Sequence, residues 1–197
     1  MIEVHESVQG LLFDCDGTLV DSMPMHMKAW EHAITAYNGV WDYDLFYSHS
    51  GMVGKDILAL YNKKYNLALD GETVLDVKHN YFKKYIGETK PIQIVVDIVE
   101  RYQNKLPMAV VSGGSLENVH GQLKAIGIFD RFQTILTADD DIKPKPAPDI
   151  FLAAAARLGV EPKRCHVFED GASGLLAAER AGIPATDVRV YLPPLQK

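Results

Sequence analysis

The sequence has few of the features that mark several large classes of protein. It contains only two cysteines, Cys15 and Cys165, which are too few for a disulfide framework and show no metal-site spacing. Both lie in short apolar stretches, where a cysteine usually packs as a small buried side chain. No apolar run approaches the roughly 20 residues that a membrane-spanning helix needs. The N-terminal segment carries acidic side chains where a signal peptide would be basic and apolar.

Positive charge is also scarce. The chain has 20 Lys and Arg residues against 26 Asp and Glu, and its net charge of −6 argues against a nucleic-acid-binding surface. Its 197 residues, of which 47% are hydrophobic and 23% charged, are typical of a soluble globular protein with a substantial core. We therefore expect a soluble cytoplasmic protein, a monomer or weak homodimer, that binds neither nucleic acid nor membranes.

Short apolar strands and amphipathic helices alternate over most of the chain. The predicted strands lie at residues 9–14, 108–112, 134–137 and 165–169. The predicted helices lie at residues 92–102, 115–127, 148–158 and 172–181. Parallel strands need crossover connections, which these helices can supply. The pattern predicts an α/β protein whose core is a Rossmann-like, doubly wound parallel sheet.

One segment interrupts this alternation. Between the first and second predicted strands, the chain has helix after helix, with aromatic side chains at helical spacing. We therefore expect an α/β core domain formed by residues 1–22 and 89–197, with a helical domain inserted at residues 23–88.

Two aspartates, Asp14 and Asp16, follow the first predicted strand directly. In an Asx-turn, their carboxylates would only cap nearby backbone amides. Alternatively, Asp14 attacks phosphorus and forms an aspartyl-phosphate, while Asp16 protonates the leaving oxygen and later deprotonates water. The sequence DCDGT immediately after an apolar strand favours this second interpretation.

Two further acidic residues, Glu169 and Asp170, stand where the strand at 165–169 ends. Ligands of doubly wound sheets bind beyond the carboxyl ends of the strands, so we expect this pair to lie near Asp14. Acidic groups packed together repel one another unless a cation neutralises them, and their hard oxygen atoms suit Mg²⁺. The alternative is that the pair merely caps the following helix.

One more strand end, and a short loop after another strand, carry groups that suit a phosphate. Ser112 and Gly113 offer a hydroxyl and unobstructed backbone amides at a predicted helix N-terminus, which is an anion-binding arrangement. Lys145 would supply a positive charge from a segment stiffened by neighbouring prolines. Lys143 competes for that role and is our second choice.

Four segments, FDCDGTLVDS, VVSGGS, KPAPD and VFEDGASGLLAAERAGI, together resemble the four motifs of the haloacid dehalogenase-like hydrolase superfamily in order and spacing. Within it, the chain is similar to the β-phosphoglucomutase-like branch, which includes bacterial fructose-1-phosphate phosphatases. The resemblance implies that Asp14 is the nucleophile and Asp16 the acid/base. It also implies that Asp14, Asp170 and the Asp16 carbonyl hold Mg²⁺, with Glu169 supporting the metal's water shell.

The same resemblance implies that Ser112, Gly113 and Lys145 bind the phosphoryl group. It further implies that residues 23–88 form a cap that excludes water and contacts the substrate. The candidate substrate contacts in this cap are His26, Lys55 and Lys78. β-Phosphoglucomutases place an arginine in the cap to bind a second phosphate, and by alignment this chain has Gly54 there.

The leading hypothesis is an Mg²⁺-dependent phosphatase that hydrolyses small sugar-phosphate monoesters through an aspartyl-phosphate. The alternative is a β-phosphoglucomutase, which would retain and reorient a bisphosphate. A receiver-type signalling domain also uses an aspartyl-phosphate, but it lacks a helical insertion and an acid/base two residues after the aspartate. A phosphosugar-binding protein without activity is a further alternative, although every catalytic carboxylate is present.

Overall fold

The structure is a computed structural model, and it describes residues 2–49 and 52–192. The chain divides into two compact units. A core unit contains residues 1–21 and 89–197, and an inserted unit contains residues 22–88.

All strands of the described residues belong to the core unit. In chain order they are β1 (Gly10–Phe13), β2 (Val20–Asp21), β3 (Lys90–Pro91), β4 (Met108–Val111), β5 (Thr134–Leu136), β6 (Cys165–Glu169) and β7 (Ala185–Asp187). Five of them form one sheet in the order β5-β4-β1-β6-β7, with every neighbouring pair parallel. The predicted fold class, a Rossmann-like parallel sheet with an inserted helical segment, is confirmed.

The α-helices divide between the two units. The inserted unit contains α1 (Met23–Ala36), α2 (Tyr43–Ser48), α3 (Gly54–Tyr65) and α4 (Gly71–Tyr85). The core unit contains α5 (Gln93–Tyr102), α6 (Leu116–Ala125), α7 (Asp149–Leu158) and α8 (Ala172–Arg180). No helix among the described residues is long and apolar enough to cross a membrane.

The central strands β1 and β4 are buried at every residue, which explains why they are continuous apolar runs. Side chains alternate across β1, so Leu11 and Phe13 pack into one apolar cluster and Leu12 packs into another. Helices α5 and α6 contribute to the first cluster, and α7 and α8 contribute to the second. The sheet therefore holds the ends of its strands in fixed positions.

The inserted unit has an aromatic core of its own. The ring of Phe46 packs against the rings of Trp30 and Tyr61, with centroid distances of 4.7 Å to Trp30 and 5.5 Å to Tyr61. Asp42 and Asp70 cap α2 and α4 by accepting hydrogen bonds from backbone amides. Trp30 is thus a buried core residue of this unit, as the spacing of aromatic residues predicts.

Two features of the core unit were not predicted. The tail from Thr186 to Lys197 has no assignment from the sequence, and its first residues belong to the edge strand β7, whose three residues are too few for a periodic signal. Strands β2 and β3 form a short antiparallel pair where the core chain leaves for the insertion and returns from it. Residues 193–197 of the unassigned tail lie outside the described residues.

Candidate active site

The carboxyl end of the sheet brings the predicted residues of the core together. Asp14 follows β1, Ser112 follows β4, and Glu169 is the last residue of β6. These three strands are adjacent, so their ends meet at one edge of the sheet. The convergence predicted from strand ends is therefore present in the structure.

A tight turn after β1 directs the chain past this edge. The backbone amides of Thr18, Leu19 and Val20 all donate to the carbonyl of Cys15. Gly17 has a left-handed φ of +84°, and a side chain on it would collide with the Asp170 carboxylate. The turn therefore requires glycine at this position, both for its backbone conformation and for the close approach of Asp170.

Lys145 joins two of the acidic side chains. Its Nζ donates to Asp14 Oδ1 at 2.7 Å and to Glu169 Oε2 at 2.6 Å, and its side chain is only 11% exposed. Lys143 is 79% exposed, and its Nζ lies 4.0 Å from Asp149 Oδ1. The structure thus places Lys145 in the site and leaves its competitor at the surface.

Asp14, Glu169 and Asp170 form a compact group of carboxylates. One oxygen from each lies within 4.8 Å of the others. Thr18 donates to Asp170 at 2.9 Å, and the backbone amide of Gly171 donates to Glu169 at 2.8 Å, so the group is held in place. A cluster of fixed, hard oxygen donors fits a divalent cation such as Mg²⁺.

Burial makes ionisation of Asp14 and Asp170 costly. Burial, and then repulsion from Glu169, raises the pKa of Asp14 well above its ordinary value, although the Lys145 charge opposes this rise. The same two causes raise the pKa of Asp170 to about 6. For Lys145, burial alone would lower the pKa, but Asp14 and Glu169 outweigh it and raise the pKa above its ordinary value. A bound cation would relieve the remaining repulsion among the carboxylates.

The loop after β4 is shaped for a small anion. Ser112 is buried, and its Oγ accepts a hydrogen bond from the Gly114 amide at 3.0 Å. A Cβ on Gly113 would meet no atom within 4 Å, so the backbone here is open. This loop leads directly into α6, whose N-terminus adds a favourable dipole for negative charge.

Asp16 has a partner that we did not predict. Gln122, on α6, is completely buried, and its Nε2 donates to Asp16 Oδ1 at 2.7 Å. A signal for this residue exists in the sequence. Gln122 falls at the helical spacing of Val119 and Leu123, both of which are buried, so a polar side chain interrupts the apolar face of α6.

The candidate substrate contacts of the inserted unit fall into two places within it. His26 stacks on Phe82 with ring centroids 4.3 Å apart, and Lys78 Nζ lies 5.9 Å from the same ring and 5.5 Å from Trp30. Burial, and then the Lys78 charge, lowers the pKa of the adjacent His79. His26 and Lys78 thus share one aromatic cluster.

Lys55 is separate from that cluster. It is 61% exposed and pairs with Glu72 at 3.6 Å. Gly54 is the first residue of α3, and a Cβ on it would lie 2.6 Å from Leu75 Cδ2. An arginine at Gly54 would therefore require Leu75 to move. Residues 50 and 51, at the start of this segment, lie outside the described residues.

Replacing Gly174 with Ala should disturb Glu169. Gly174 lies on α8, and a Cβ there would overlap the Glu169 carboxylate. Displacing one charge-assisted contact typically costs about 10- to 100-fold in function, and we expect a loss of phosphate release in that range. Ser173→Ala, at the exposed neighbouring position, is the matched control. Wild-type activity in Gly174→Ala would contradict a role for Glu169 in the site.

Comparison with known proteins agrees with this geometry. A family model described as haloacid dehalogenase-like hydrolase matches residues 8–182. Fructose-1-phosphate phosphatase YqaB of Escherichia coli is 32% identical over 95% of this chain and 100% of its own length. The structure of CbbY from Rhodobacter sphaeroides in complex with phosphate is 26% identical over 90% of this chain and 84% of that one, with a TM-score of 0.77. A putative β-phosphoglucomutase from Thermotoga maritima is 25% identical over 89% and 82% of the two chains, with a TM-score of 0.74.

Proposed function

Because the chain belongs to the haloacid dehalogenase-like hydrolase family, we propose that it hydrolyses small sugar-phosphate monoesters through an aspartyl-phosphate on Asp14. Its family and its phosphatase-named relatives make it a phosphoric monoester hydrolase. A hydrolase of this family is neither a receiver-type signalling domain nor a phosphosugar-binding protein without activity. The sugar-phosphate substrate class, the aspartyl-phosphate intermediate and the use of Mg²⁺ are our proposals.

One observation carries the proposal. The carboxylate of Asp14 stands at the end of the central strand, in contact with Lys145 and beside Glu169 and Asp170. A purely structural aspartate would not need a buried lysine and two further carboxylates around it. A nucleophile that must meet a negatively charged phosphate does need compensating positive charge.

The proposed chemistry has two steps. In the first, an oxygen of Asp14 attacks phosphorus, the bond from phosphorus to the sugar oxygen breaks, and that oxygen takes a proton from Asp16. In the second, water attacks the phosphorus of the aspartyl-phosphate and loses a proton to Asp16. Inorganic phosphate leaves, and Asp14 is restored. Ser112, Gly113 and Lys145 would bind the phosphoryl oxygens in both steps.

The metal would bind beside the nucleophile. Asp14, Asp170 and the backbone carbonyl of Asp16 are the proposed Mg²⁺ ligands, with Glu169 in support. When bound, Mg²⁺ would screen the repulsion between the Asp14 carboxylate and the phosphate. Contacts of His26, Lys55 or Lys78 with the sugar stay predictions, as do the cytoplasmic location and the monomeric or weakly dimeric state.

Net phosphate release should exceed sugar-phosphate isomerisation by at least about tenfold, because losing one charge-assisted phosphate contact costs roughly 10- to 100-fold in retention. A mutase must hold a bisphosphate at two places. Ser112 and Lys145 suit one of them, whereas Gly54 occupies the position of the expected arginine, and Lys55 already pairs with Glu72. The measurement compares phosphate release with glucose-6-phosphate formation from β-glucose-1-phosphate primed with glucose bisphosphate.

A panel of sugar phosphates, including fructose-1-phosphate, should be assayed in parallel with β-glucose-1-phosphate, both with Mg²⁺ and with a chelator. We expect phosphate release with Mg²⁺ and little without it. Isomerisation that outpaces release by tenfold would instead assign the mutase function. In that case Lys78, held against Trp30 and Phe82, would be the group to test as the second phosphate contact.

A further inference from the structure

We infer that Gln122 is a positioning residue that orients the Asp16 carboxylate for proton transfer to the leaving group. The inference rests on the proposed function, in which Asp16 is the acid/base. Gln122 is completely buried, and both ends of its amide are engaged. Its Nε2 donates to Asp16 Oδ1 at 2.7 Å, and its Oε1 accepts from the Cys15 thiol at 3.3 Å.

The packing of α6 gives Gln122 no structural reason to be polar. Its helical neighbours Val119 and Leu123 are fully buried in the apolar cluster beneath the sheet. An apolar side chain of similar size would fill the same space without the cost of burying an amide. The amide is tolerated here because it is hydrogen-bonded at both ends, and one of those bonds ends on a carboxylate of the candidate site.

The two bonds of the amide also fix its direction. An ionised carboxylate only accepts hydrogen bonds, so the amide nitrogen is the end that faces Asp16, and the amide oxygen accepts from the Cys15 thiol. Cys15 lies between Asp14 and Asp16 in the chain, and its own side chain is completely buried. The thiol therefore acts as a fixed anchor for the glutamine on the side away from the carboxylate.

The orientation of Asp16 follows from this contact. Gln122 donates to Oδ1 of Asp16. The other carboxylate oxygen of Asp16, Oδ2, lies beside Gly114, at 3.4 Å from the position that a Cβ on this glycine would take. The hydroxyl oxygen of Ser112 lies 3.3 Å from that same point. The second oxygen of Asp16 is thus directed toward the loop that suits a phosphoryl group, which is where the leaving oxygen would need a proton.

The test uses two substrates that differ in their need for an acid. The sugar alkoxide of fructose-1-phosphate leaves poorly without a proton, whereas the nitrophenolate of p-nitrophenyl phosphate leaves well without one. In both cases kcat/KM reports the steps up to the transfer of phosphate to Asp14. We expect Gln122→Met to lower kcat/KM for fructose-1-phosphate by about 10- to 100-fold and for p-nitrophenyl phosphate by less than about threefold.

Gln93 offers a matched control on the surface of α5. Its Nε2 donates to Asp97 Oδ1 at 2.7 Å, the same bond as in the buried pair but exposed to water. Gln93→Met should leave both substrates unaffected. A Gln122→Met variant that loses equal activity on both substrates, or loses none, would overturn the inference. Wild-type protein that hydrolyses neither substrate would instead count against the proposed function.

Cys15→Ala provides a second measurement that keeps the glutamine. We expect it to lower kcat/KM for fructose-1-phosphate selectively but by less than Gln122→Met, and to add nothing once Gln122 is already replaced. If Gln122→Met does not fold, Cys15→Ala decides the question alone. A loss confined to fructose-1-phosphate supports the inference, and an equal loss on both substrates or no loss overturns it.

Discussion

Asp14→Asn should reduce phosphate release by at least about 10³-fold, because a neutral amide is a poor nucleophile and the covalent step depends on the carboxylate. The fold should remain intact. Asparagine has nearly the same shape as aspartate, and its amide oxygen can still accept the hydrogen bond that Lys145 donates to Asp14 at 2.7 Å.

The stability of this variant gives a second readout. Burial raises the pKa of Asp14, so the ionised carboxylate is less favourable in the folded protein than in water. In the folded state Asp14 binds its proton up to a higher pH than in the unfolded state, so its contribution to stability falls as pH rises through that window. Without metal, Asp14→Asn should therefore be at least as stable as wild type at neutral pH, and its advantage should shrink toward acidic pH.

The measurement pairs phosphate release with thermal unfolding in a chelator. Asp21→Asn is the matched control, because Asp21 is an exposed aspartate seven positions further along the chain. It should retain full activity. Rapid acid quenching of wild type with substrate should trap a phosphoryl group on the peptide that contains Asp14. Substantial turnover by a folded, freshly purified Asp14→Asn protein would contradict the covalent assignment.

The sequence was sufficient to predict which polar residues of the core unit lie together at the candidate site, for physical reasons. Strands buried on both faces are largely apolar, so β1, β4 and β6 stand out, and polar side chains at their ends are conspicuous. Parallel pairing then requires those ends to meet, which brings Asp14, Ser112 and Glu169 together however far apart they are in the chain.

Other features depend on tertiary packing, which cannot be predicted from the local sequence. Lys143 and Lys145 lie two residues apart in one proline-rich segment, and only the course of the loop shows that one is exposed and the other is buried against Asp14. Gln122 was missed because one polar residue on an apolar helical face is usually tolerated without a role. The space available to a side chain at position 54 depends on Leu75, which lies on a different helix.

Lys145→Met should abolish activity and also destabilise the protein, which distinguishes it from Asp14→Asn. Removing one member of a buried ion pair typically costs about 3–5 kcal/mol, because the remaining charges stay buried without compensation. Here the uncompensated charges would be Asp14 and Glu169, whose side chains are 9% and 4% exposed. Methionine keeps an unbranched side chain, one atom shorter than that of lysine, and removes the charged Nζ that lies 5.2 Å from the centre of the Phe151 ring, so the loss is chiefly one of charge.

The destabilisation should depend on pH in a defined direction. Loss of the lysine removes the attraction that opposes the raised pKa of Asp14, so that pKa should rise further. Over a wider pH range above the ordinary Asp14 pKa of 3.8, the folded variant would then bind more protons than the unfolded chain. Its free energy of unfolding should therefore fall as the pH rises from about 5 to about 8. Lys145 itself stays protonated in wild type over this range, because its pKa is raised above its ordinary 10.5.

Urea unfolding in a chelator at both ends of this pH range measures the effect, with Lys143→Met as the matched control. Lys143 is two positions away in the same loop and 79% exposed, so its replacement should change neither stability nor phosphate release. Added Mg²⁺ should restore part of the stability of Lys145→Met at the higher pH, because a cation among the carboxylates replaces the missing positive charge. Equal stability of Lys145→Met and Lys143→Met at pH 8 would show that Lys145 does not offset the charge of the carboxylate cluster.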